Sequence, residues 1–149
     1  MNVTEILDSQ IIKTHLQAKT KEEVLNELAC MLKENDYITN QEGFIKDVYA
    51  REAEGQTGIG NYIAIPHGKS SYVKKIGVAI ATTDHEIPWE SLDDQGVKVI
   101  ILFAVGDDIQ GAQEHLKFLA LFARKIGNDE VVSKLLHAED PNAVLSAFA

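Results

Sequence analysis

The sequence predicts an α/β fold, in which residues 1–149 form a single domain with a mixed central β-sheet flanked by helices on both sides. Three observations support this prediction. The predicted segments run as a short strand, two helices, a block of strands and then helices, which is not the strict alternation of a doubly wound fold. Residues 97–105 are apolar almost throughout, as in a central strand covered on both faces. No repeat, low-complexity tract or Pro/Gly-rich linker divides the chain.

The composition excludes several classes of protein. The net charge of −9 argues against binding to nucleic acid or to an anionic membrane surface, because both need clustered Lys and Arg. No apolar run approaches the roughly 18 residues of a membrane span, and the first residues lack the basic and apolar regions of a secretory signal. A single cysteine, Cys30, excludes an internal disulfide and a cysteine-rich zinc site. These features predict a cytoplasmic protein without direct membrane insertion.

The first part of the chain predicts a strand and a helix. Residues 11–16 are rich enough in β-branched side chains for a first strand. Thr20 and Glu23 then have the spacing of a capping box, in which a hydroxyl caps the first turn and a carboxylate reaches back. The helix behind this box has apolar residues at helical spacing, namely Val24, Leu25, Leu28, Met31 and Leu32.

A second capping box, from Thr39 to Glu42, predicts the next helix. One face of this helix is apolar and carries Phe44, Ile45, Val48 and Tyr49. We expect the helix to end at Gly55, because Gly readily adopts the left-handed conformation that follows many helices.

The rest of the chain predicts three strands followed by helices. The strands are expected at residues 62–65, 76–82 and 97–105. From Gln110 the pattern returns to a helix, which should end at Gly127. The apolar stripe of this helix consists of Leu116, Leu119, Phe122, Ala123 and Ile126. Two short helices are expected afterwards, one at residues 131–136 and one opened by Asp140 and Pro141.

The glycine-rich segment at residues 57–68 is the most informative part of the chain. Pro66 favours an extended conformation before it and removes a backbone donor, so a strand should end there. His67 then lies at the strand exit, and Gly68 permits a sharp turn behind it. Neutral imidazole is a competent nucleophile at cytoplasmic pH, because its ordinary pKa is near 6.5. His67 is therefore a candidate acceptor of a phosphoryl group, although Pro-His-Gly also fits a plain loop with an exposed histidine.

This segment matches neither of the common nucleotide-binding motifs. Its Gly-x-Gly precedes a strand, whereas a dinucleotide fingerprint follows a strand and opens a helix. Gly68-Lys69-Ser70 lacks the glycine five residues earlier that a P-loop needs. No nucleotide, metal or other cofactor is implied.

Arg51 and His115 are further candidates, and each has two interpretations. The Arg51 guanidinium could clamp the oxygens of a phosphoryl group on His67, or it could complement the helix dipole and pair with Asp47. His115 lies on the apolar stripe of the long helix. It could be a core histidine bonded to a carbonyl, or a second imidazole beside the phosphoryl group, near a helix N-terminus that suits an anion.

Together these residues form a recognisable pattern. Glu52 is followed by six residues, Ile59-Gly60, two more, and then Ile-Ala-Ile-Pro-His-Gly at residues 63–68. This spacing resembles the active-site signature of the fructose/mannitol-type (type 2) enzyme IIA family of the bacterial phosphotransferase system. Arg51-Glu52 and His115-Leu116 resemble two other recurrent sites of that family, and the resemblance covers nearly the whole chain.

The resemblance implies a role for each candidate. His67 would be the phosphorylated nucleophile, with Arg51 and His115 neutralising and orienting the phosphoryl group. The donor would be the histidine-containing phosphocarrier protein, charged from phosphoenolpyruvate by enzyme I. The acceptor would be an enzyme IIB that serves a membrane sugar permease. Cys30 lies on the polar side of its helix and does not resemble a IIB cysteine, so that component is expected on another chain.

Residues 87–93 resemble the fructose branch more than the mannitol branch, which favours a transporter component for a fructose-like sugar. Nitrogen-type relatives, which keep the phosphorylated histidine but control other proteins, are the alternative. A metal or hydrolytic site at His67 and His115 is disfavoured, because the sequence has no His-x-x-x-His pair. A protein-interaction domain whose histidines are structural is the remaining possibility.

Overall fold

The computed structural model describes residues 2–149, which contain six α-helices and six β-strands. The helices are α1 (Val3–Ile6), α2 (Lys21–Glu34), α3 (Gln41–Glu52), α4 (Ile109–Ile126), α5 (Asp129–Leu136) and α6 (Pro141–Phe148). The strands are β1 (Ile12–Lys13), β2 (Gly58–Gly60), β3 (Ile63–Ala64), β4 (His67–Lys69), β5 (Gly77–Ile87) and β6 (Val97–Val105). Within the described residues, no helix combines the length and apolar character needed to cross a membrane.

The strands form one mixed sheet around β6. On one edge β6 pairs antiparallel with β5, and on the other it pairs parallel with both β3 and β4. β1 adds to β5 in parallel, and β2 is the antiparallel neighbour of β3. Every residue of β6 except Lys98 is buried, as expected for a central strand. The predicted mixed sheet is confirmed.

Helices cover both faces of this sheet, and the side chains of β6 alternate between two cores. Ile100 and Leu102 pack on the face covered by α2 and α3. Ile101 and Phe103 pack on the opposite face against α4, α5 and α6, whose buried residues include Phe118, Phe122, Leu135, Val144 and Phe148. The predicted flanking of the sheet by helices on both sides is confirmed.

The predicted first strand at residues 11–16 is only partly formed. β1 pairs with β5 over two residues, and a 3-10 turn occupies Ser9–Ile11 before it. His15 has a φ of 55°, a left-handed conformation that an extended strand does not contain. The chain therefore leaves the sheet earlier than the sequence suggested.

The N-terminus of α2 is close to the prediction. Thr20 Oγ1 accepts a hydrogen bond from the Glu23 N–H at 3.1 Å. The Glu23 carboxylate accepts from the Lys19 N–H at 2.8 Å, so only half of the predicted capping box forms. Four residues of the predicted apolar face are buried, namely Val24, Leu25, Leu28 and Leu32, and Met31 is partly buried.

The predicted start of α3 is wrong by one residue. Asn40 caps the helix, its side-chain oxygen accepting from the Gly43 N–H at 2.8 Å. The Thr39 hydroxyl donates instead to the carbonyl oxygen of Tyr72 at 3.3 Å. A tertiary contact thus occupies the group that the local pattern assigned to the cap. The helix also ends three residues before Gly55.

The apolar stripe of α4 is partly mispredicted. Phe122 and Ile126 are buried as expected, and Phe118 is buried with them. Leu116 is 70% exposed, however, and Ala123 is exposed too. Leu116 precedes Phe118 by two positions, which is about 200° around the helix, so the two side chains lie on different faces.

Candidate functional site

His67 is the first residue of β4 and lies opposite Phe103 of β6. Pro66 separates β3 from β4, yet its carbonyl oxygen accepts from the Phe103 N–H at 3.1 Å. The predicted strand end is therefore only a break, after which the chain resumes pairing with β6. As a result, the half-buried His67 is held against the central strand of the sheet instead of standing on a turn.

Gly68 does not make the predicted sharp turn, because it pairs with Ala104 inside β4. A Cβ atom there would collide with the ring of Phe44 and lie 3.0 Å from the carbonyl oxygen of Phe103. The glycine is needed so that α3 can pack closely on β4. This close packing brings the C-terminal turn of α3 next to His67.

His115 lies in the second turn of α4 and faces His67. The centres of the two imidazole rings are 4.5 Å apart, and the rings are nearly perpendicular at 88°. The Phe103 ring lies beneath both, 6.0 Å from His67 and 5.6 Å from His115. His115 Nε2 is buried and has no hydrogen-bond partner among residues 2–149. The structure therefore brings the second imidazole to the first, and this buried nitrogen is not bonded to a carbonyl.

Arg51 lies in the last turn of α3 and lines the same cleft as the two histidines. Its Nη1 donates a hydrogen bond to the carbonyl oxygen of Gly55 at 3.0 Å. The alternative partner, Asp47, accepts a hydrogen bond from the Ser70 hydroxyl at 2.6 Å. The guanidinium keeps further N–H groups for a ligand, since it carries five donors in all.

The cleft between these elements has a volume of about 380 Å³, and most of the residues that line it are ionisable. It contains two imidazoles and two charges of each sign, contributed by His67, His115, Arg51, Lys69, Asp47 and Glu54. Lys69 follows His67 by two residues on the same strand, so both side chains point to the same face. The cleft therefore has room for a group of the size of a phosphoryl group, with two cationic side chains beside the imidazoles.

The surroundings of both imidazoles favour their neutral form. Burial lowers the pKa of His67 to about 4, and the nearby His115 and Arg51 contribute to this effect. Burial also lowers the pKa of His115, with contributions from Lys69 and Arg51. A neutral imidazole keeps the lone pair that a nucleophile needs. The cleft thus combines a nucleophilic nitrogen with two cations that can neutralise an anion.

The sequence predicted the two imidazoles and the guanidinium, and it named Asp47 only as an alternative ion-pair partner of Arg51. Glu54, which lines the same cleft, was not predicted. No local pattern marks Glu54, which follows the end of α3 and reaches the cleft only because that helix packs on β4. Within residues 2–149, no group of three or more His, Cys, Asp or Glu side chains is arranged to hold a metal ion.

The fold and the cleft define an α/β domain with two facing imidazoles beside a guanidinium, and comparison with known proteins gives its family. Residues 5–149 match the family model described as "Phosphoenolpyruvate-dependent sugar phosphotransferase system, EIIA 2". The chain belongs to this family, whose members act in phosphoryl transfer.

The relatives among known proteins include components of sugar transporters and a nitrogen regulatory protein. The chain is 29% identical to the PTS system 2-O-α-mannosyl-D-glycerate-specific EIIABC component of Escherichia coli, over 99% of this chain and 22% of that protein. It is 31% identical to the nitrogen regulatory protein of Bradyrhizobium diazoefficiens, over 100% of this chain and 95% of that protein. It is 27% identical to the PTS system fructose-specific EIIA component of Haloferax volcanii, over 99% of this chain and 95% of that protein. The chain spans about a fifth of the first relative and nearly all of the other two.

Solved structures share the fold. The nitrogen regulatory protein IIA-Ntr of Neisseria meningitidis has a TM-score of 0.87 at 24% identity, over 99% of both chains. The mannitol enzyme IIA of Escherichia coli has a TM-score of 0.80 at 24% identity, over 96% of this chain and 99% of that one. These likenesses establish the architecture, whereas the choice between a transporter component and a regulator needs other evidence.

Proposed function

We propose that this protein is a phosphocarrier, a sugar-specific enzyme IIA that accepts a phosphoryl group on His67 and passes it to an enzyme IIB. One observation carries the proposal. The neutral His67 imidazole faces His115 at 4.5 Å in a cleft that it shares with Arg51. Family membership supports phosphoryl transfer as the reaction, and the geometry of the cleft supports His67 as the residue that accepts the group.

The transfer needs no chemistry beyond these side chains. A lone pair on His67 attacks phosphorus, and the P–N bond to the donor histidine breaks with its electrons remaining on the donor imidazole. The proton on the other nitrogen of His67 is released while the donor imidazole takes one up, so the protons balance. Arg51 and Lys69 neutralise the oxygens, and His115 orients them with a ring N–H.

Family membership supports the choice of donor and acceptor. We infer that the donor is the histidine-containing phosphocarrier protein and that the acceptor is an enzyme IIB on another chain. The mannitol enzyme IIA of Escherichia coli, which has the same fold, has been solved in complex with phosphorylated enzyme IIB. We infer a fructose-like sugar as the cargo, because residues 87–93 resemble the fructose branch and the relatives include fructose-specific components.

The experiment is reconstitution. The purified protein is mixed with phosphoenolpyruvate, enzyme I and the phosphocarrier protein, and its intact mass is measured beside His67→Ala and the control His15→Ala. We expect one acid-labile, base-stable phosphoryl group on the wild type and on His15→Ala, and none on His67→Ala. If the folded wild type stays unmodified while a known enzyme IIA is phosphorylated in the same mixture, the proposal fails.

A regulatory role is the second candidate, supported by the nitrogen regulatory relative at 31% identity over the whole chain. Onward transfer separates the two. The phosphorylated protein is mixed with a fructose-type enzyme IIB, and loss of phosphate from His67 with gain on the IIB cysteine supports the transporter role. Phosphate that stays on His67, although another enzyme IIA transfers to the same IIB, favours the regulator.

A further inference from the structure

The carboxylate of Glu52 is buried beside the candidate site without lining the cleft. Its side chain is 5% exposed, and Oε1 lies 2.6 Å from Lys21 Nζ of α2. Oε2 accepts a hydrogen bond from Thr57 Oγ1 at 2.7 Å. A carboxylate is costly to bury unless it is paired and hydrogen-bonded. The position of this one, next to Arg51 in sequence, suggests a purpose beyond helix packing.

Trp89 completes this buried network. Its Nε1–H donates to Thr57 Oγ1 at 3.2 Å, and the Lys21 ammonium lies 4.8 Å from the centre of the indole ring. Lys21 also pairs with Glu90 at 2.9 Å, but the side chain of Glu90 is 68% exposed. The network therefore ties the end of α3 to α2 and to the segment that follows β5.

The loop at residues 53–57 connects this network to the cleft. Arg51 Nη1 donates to the carbonyl oxygen of Gly55 inside the loop. At the end of the loop, the carbonyl oxygen of Thr57 accepts from the Ile65 N–H at 2.9 Å, two residues before His67. The loop thus contacts the guanidinium on one side and the chain that leads to the nucleophile on the other.

Arg51 needs this support because it lies in the last turn of a helix, where helices fray. Its long side chain loses rotamer freedom when it is held in one place, and its contact with Gly55 fixes it only if the loop is itself fixed. The bond between Glu52 and Thr57 closes the loop from the buried side. The ion pair with Lys21 then holds the carboxylate against α2.

We propose that Glu52 is a positioning residue for phosphoryl transfer, which acts through Thr57 to fix the 53–57 loop and so holds Arg51 beside His67. The proposal rests on the proposed function, because it assigns Glu52 a part in the same transfer. Glu52 does not touch the reacting atoms. Its effect on the reaction passes through the guanidinium.

The first test compares Glu52→Gln with Glu90→Gln in single-turnover phosphorylation by the phosphocarrier protein. Both variants remove a carboxylate that pairs with Lys21, but only Glu52 is buried and bonded to Thr57. We expect the rate constant to fall about tenfold in Glu52→Gln, because the clamp is misplaced. In Glu90→Gln it should stay within about twofold. Equal rates in Glu52→Gln and the wild type overturn the proposal.

A double-mutant cycle tests the route of the effect. If Glu52 acts through Arg51, then Glu52→Gln causes little further loss of rate in an Arg51→Met background. If the two losses multiply, Glu52 serves the reaction by another path, and the positioning role is rejected.

The titration of His67 by NMR gives a readout that does not depend on phosphorylation. Removing a negative charge alone would lower the pKa of His67, whereas moving Arg51 away would raise it. We therefore expect the pKa of His67 to rise in Glu52→Gln and to stay unchanged in Glu90→Gln. Thr57→Val, which keeps the ion pair, must show the same rise, and it replaces Glu52→Gln if that variant does not fold. Should the wild type accept no phosphate, the proposed function fails while this titration still decides the positioning role.

Discussion

His67 and His15 have opposite surroundings in the same small domain. His67 is half-buried beside a second imidazole and a guanidinium, and burial lowers its pKa to about 4. The side chain of His15 is 40% exposed, with Nδ1 2.7 Å from Asp84 Oδ1 and Nε2 3.4 Å from Glu139 Oε2. The hydrogen bond and charge of Asp84 raise the pKa of His15 above its ordinary value.

The difference shows how environment decides what a histidine can do. Both nitrogens of His15 face carboxylates, which stabilise the cationic form of the ring, and that form has no free lone pair. His67 is kept neutral by burial and neighbouring cations, and its lone pair stays available. Two other histidines are held by carbonyls, since His85 Nε2 lies 2.8 Å from the Ala18 oxygen and His137 Nδ1 lies 2.8 Å from the Ser133 oxygen. The pair at the cleft is arranged differently from all three.

The largest effect is expected from removing the second imidazole. His115→Ala should slow phosphorylation of His67 by about 10²-fold, because it removes a preorganised ring N–H at the phosphoryl oxygens. The rate constant is measured by rapid quench, with the carrier in excess. His137→Ala is the control, since that ring lies outside the cleft and binds a backbone carbonyl. If the rate constant for phosphorylation of His67 is unchanged in His115→Ala, then the His115 ring contributes only to packing and not to the transfer.

The next effect is on the titration itself. An NMR titration should give His67 a pKa of about 4, His115 a value below the ordinary one, and His15 a value above it. Asp84→Asn should move the pKa of His15 downward, because its main hydrogen-bonded charge is lost, and should leave His67 unchanged. If the three histidines titrate together near pH 6.5, the contrast between the two regions is wrong.

The sequence predicted the fold where burial alone decides the pattern. The bounds of β6 were predicted because a strand covered on both faces must be apolar along its length. Predictions failed where a tertiary contact competes with a local one. The Thr39 hydroxyl donates a hydrogen bond to the carbonyl oxygen of Tyr72 and does not cap α3. Leu116 lies on the solvent side of α4, because the helical period of the apolar residues did not determine which face of the helix is buried.

The site was predictable to a smaller extent. Pro66 and His67 made His67 a candidate nucleophile, although Pro-His-Gly also fitted a plain loop, and local chemistry left His115 open and favoured an ion pair for Arg51. Only the resemblance brought these two to His67. Glu52 is the first residue of the pattern that resembles the family signature, but the role proposed for it had no further local signal. Its ion-pair partner Lys21, and Trp89, which bonds to Thr57, come from distant segments that meet only in the fold.

The smallest expected effect is on stability, and its sign differs between the two histidines. Because the pKa of His67 is lowered in the folded state, the unfolded chain binds a proton first as the pH falls below about 6.5. Stability is therefore lost between that pH and about 4. The pKa of His15 is raised, so its contribution is present below about pH 6.5 and is lost as the pH rises through the folded value.

Urea unfolding at several pH values tests these signs with His67→Gln and His15→Gln. As the pH falls from 7 to 4, His67→Gln should gain about 1 kcal/mol relative to the wild type, after allowance for solvent screening at a half-buried group. His15→Gln should lose stability relative to the wild type over the same range, by a smaller amount because the pair with Asp84 is exposed. If the free energies of unfolding of the two variants diverge from that of the wild type in opposite directions as the pH falls, the lowered pKa of His67 and the raised pKa of His15 are supported. Curves that shift in the same direction contradict them, because one folded-state pKa would then have the wrong sign.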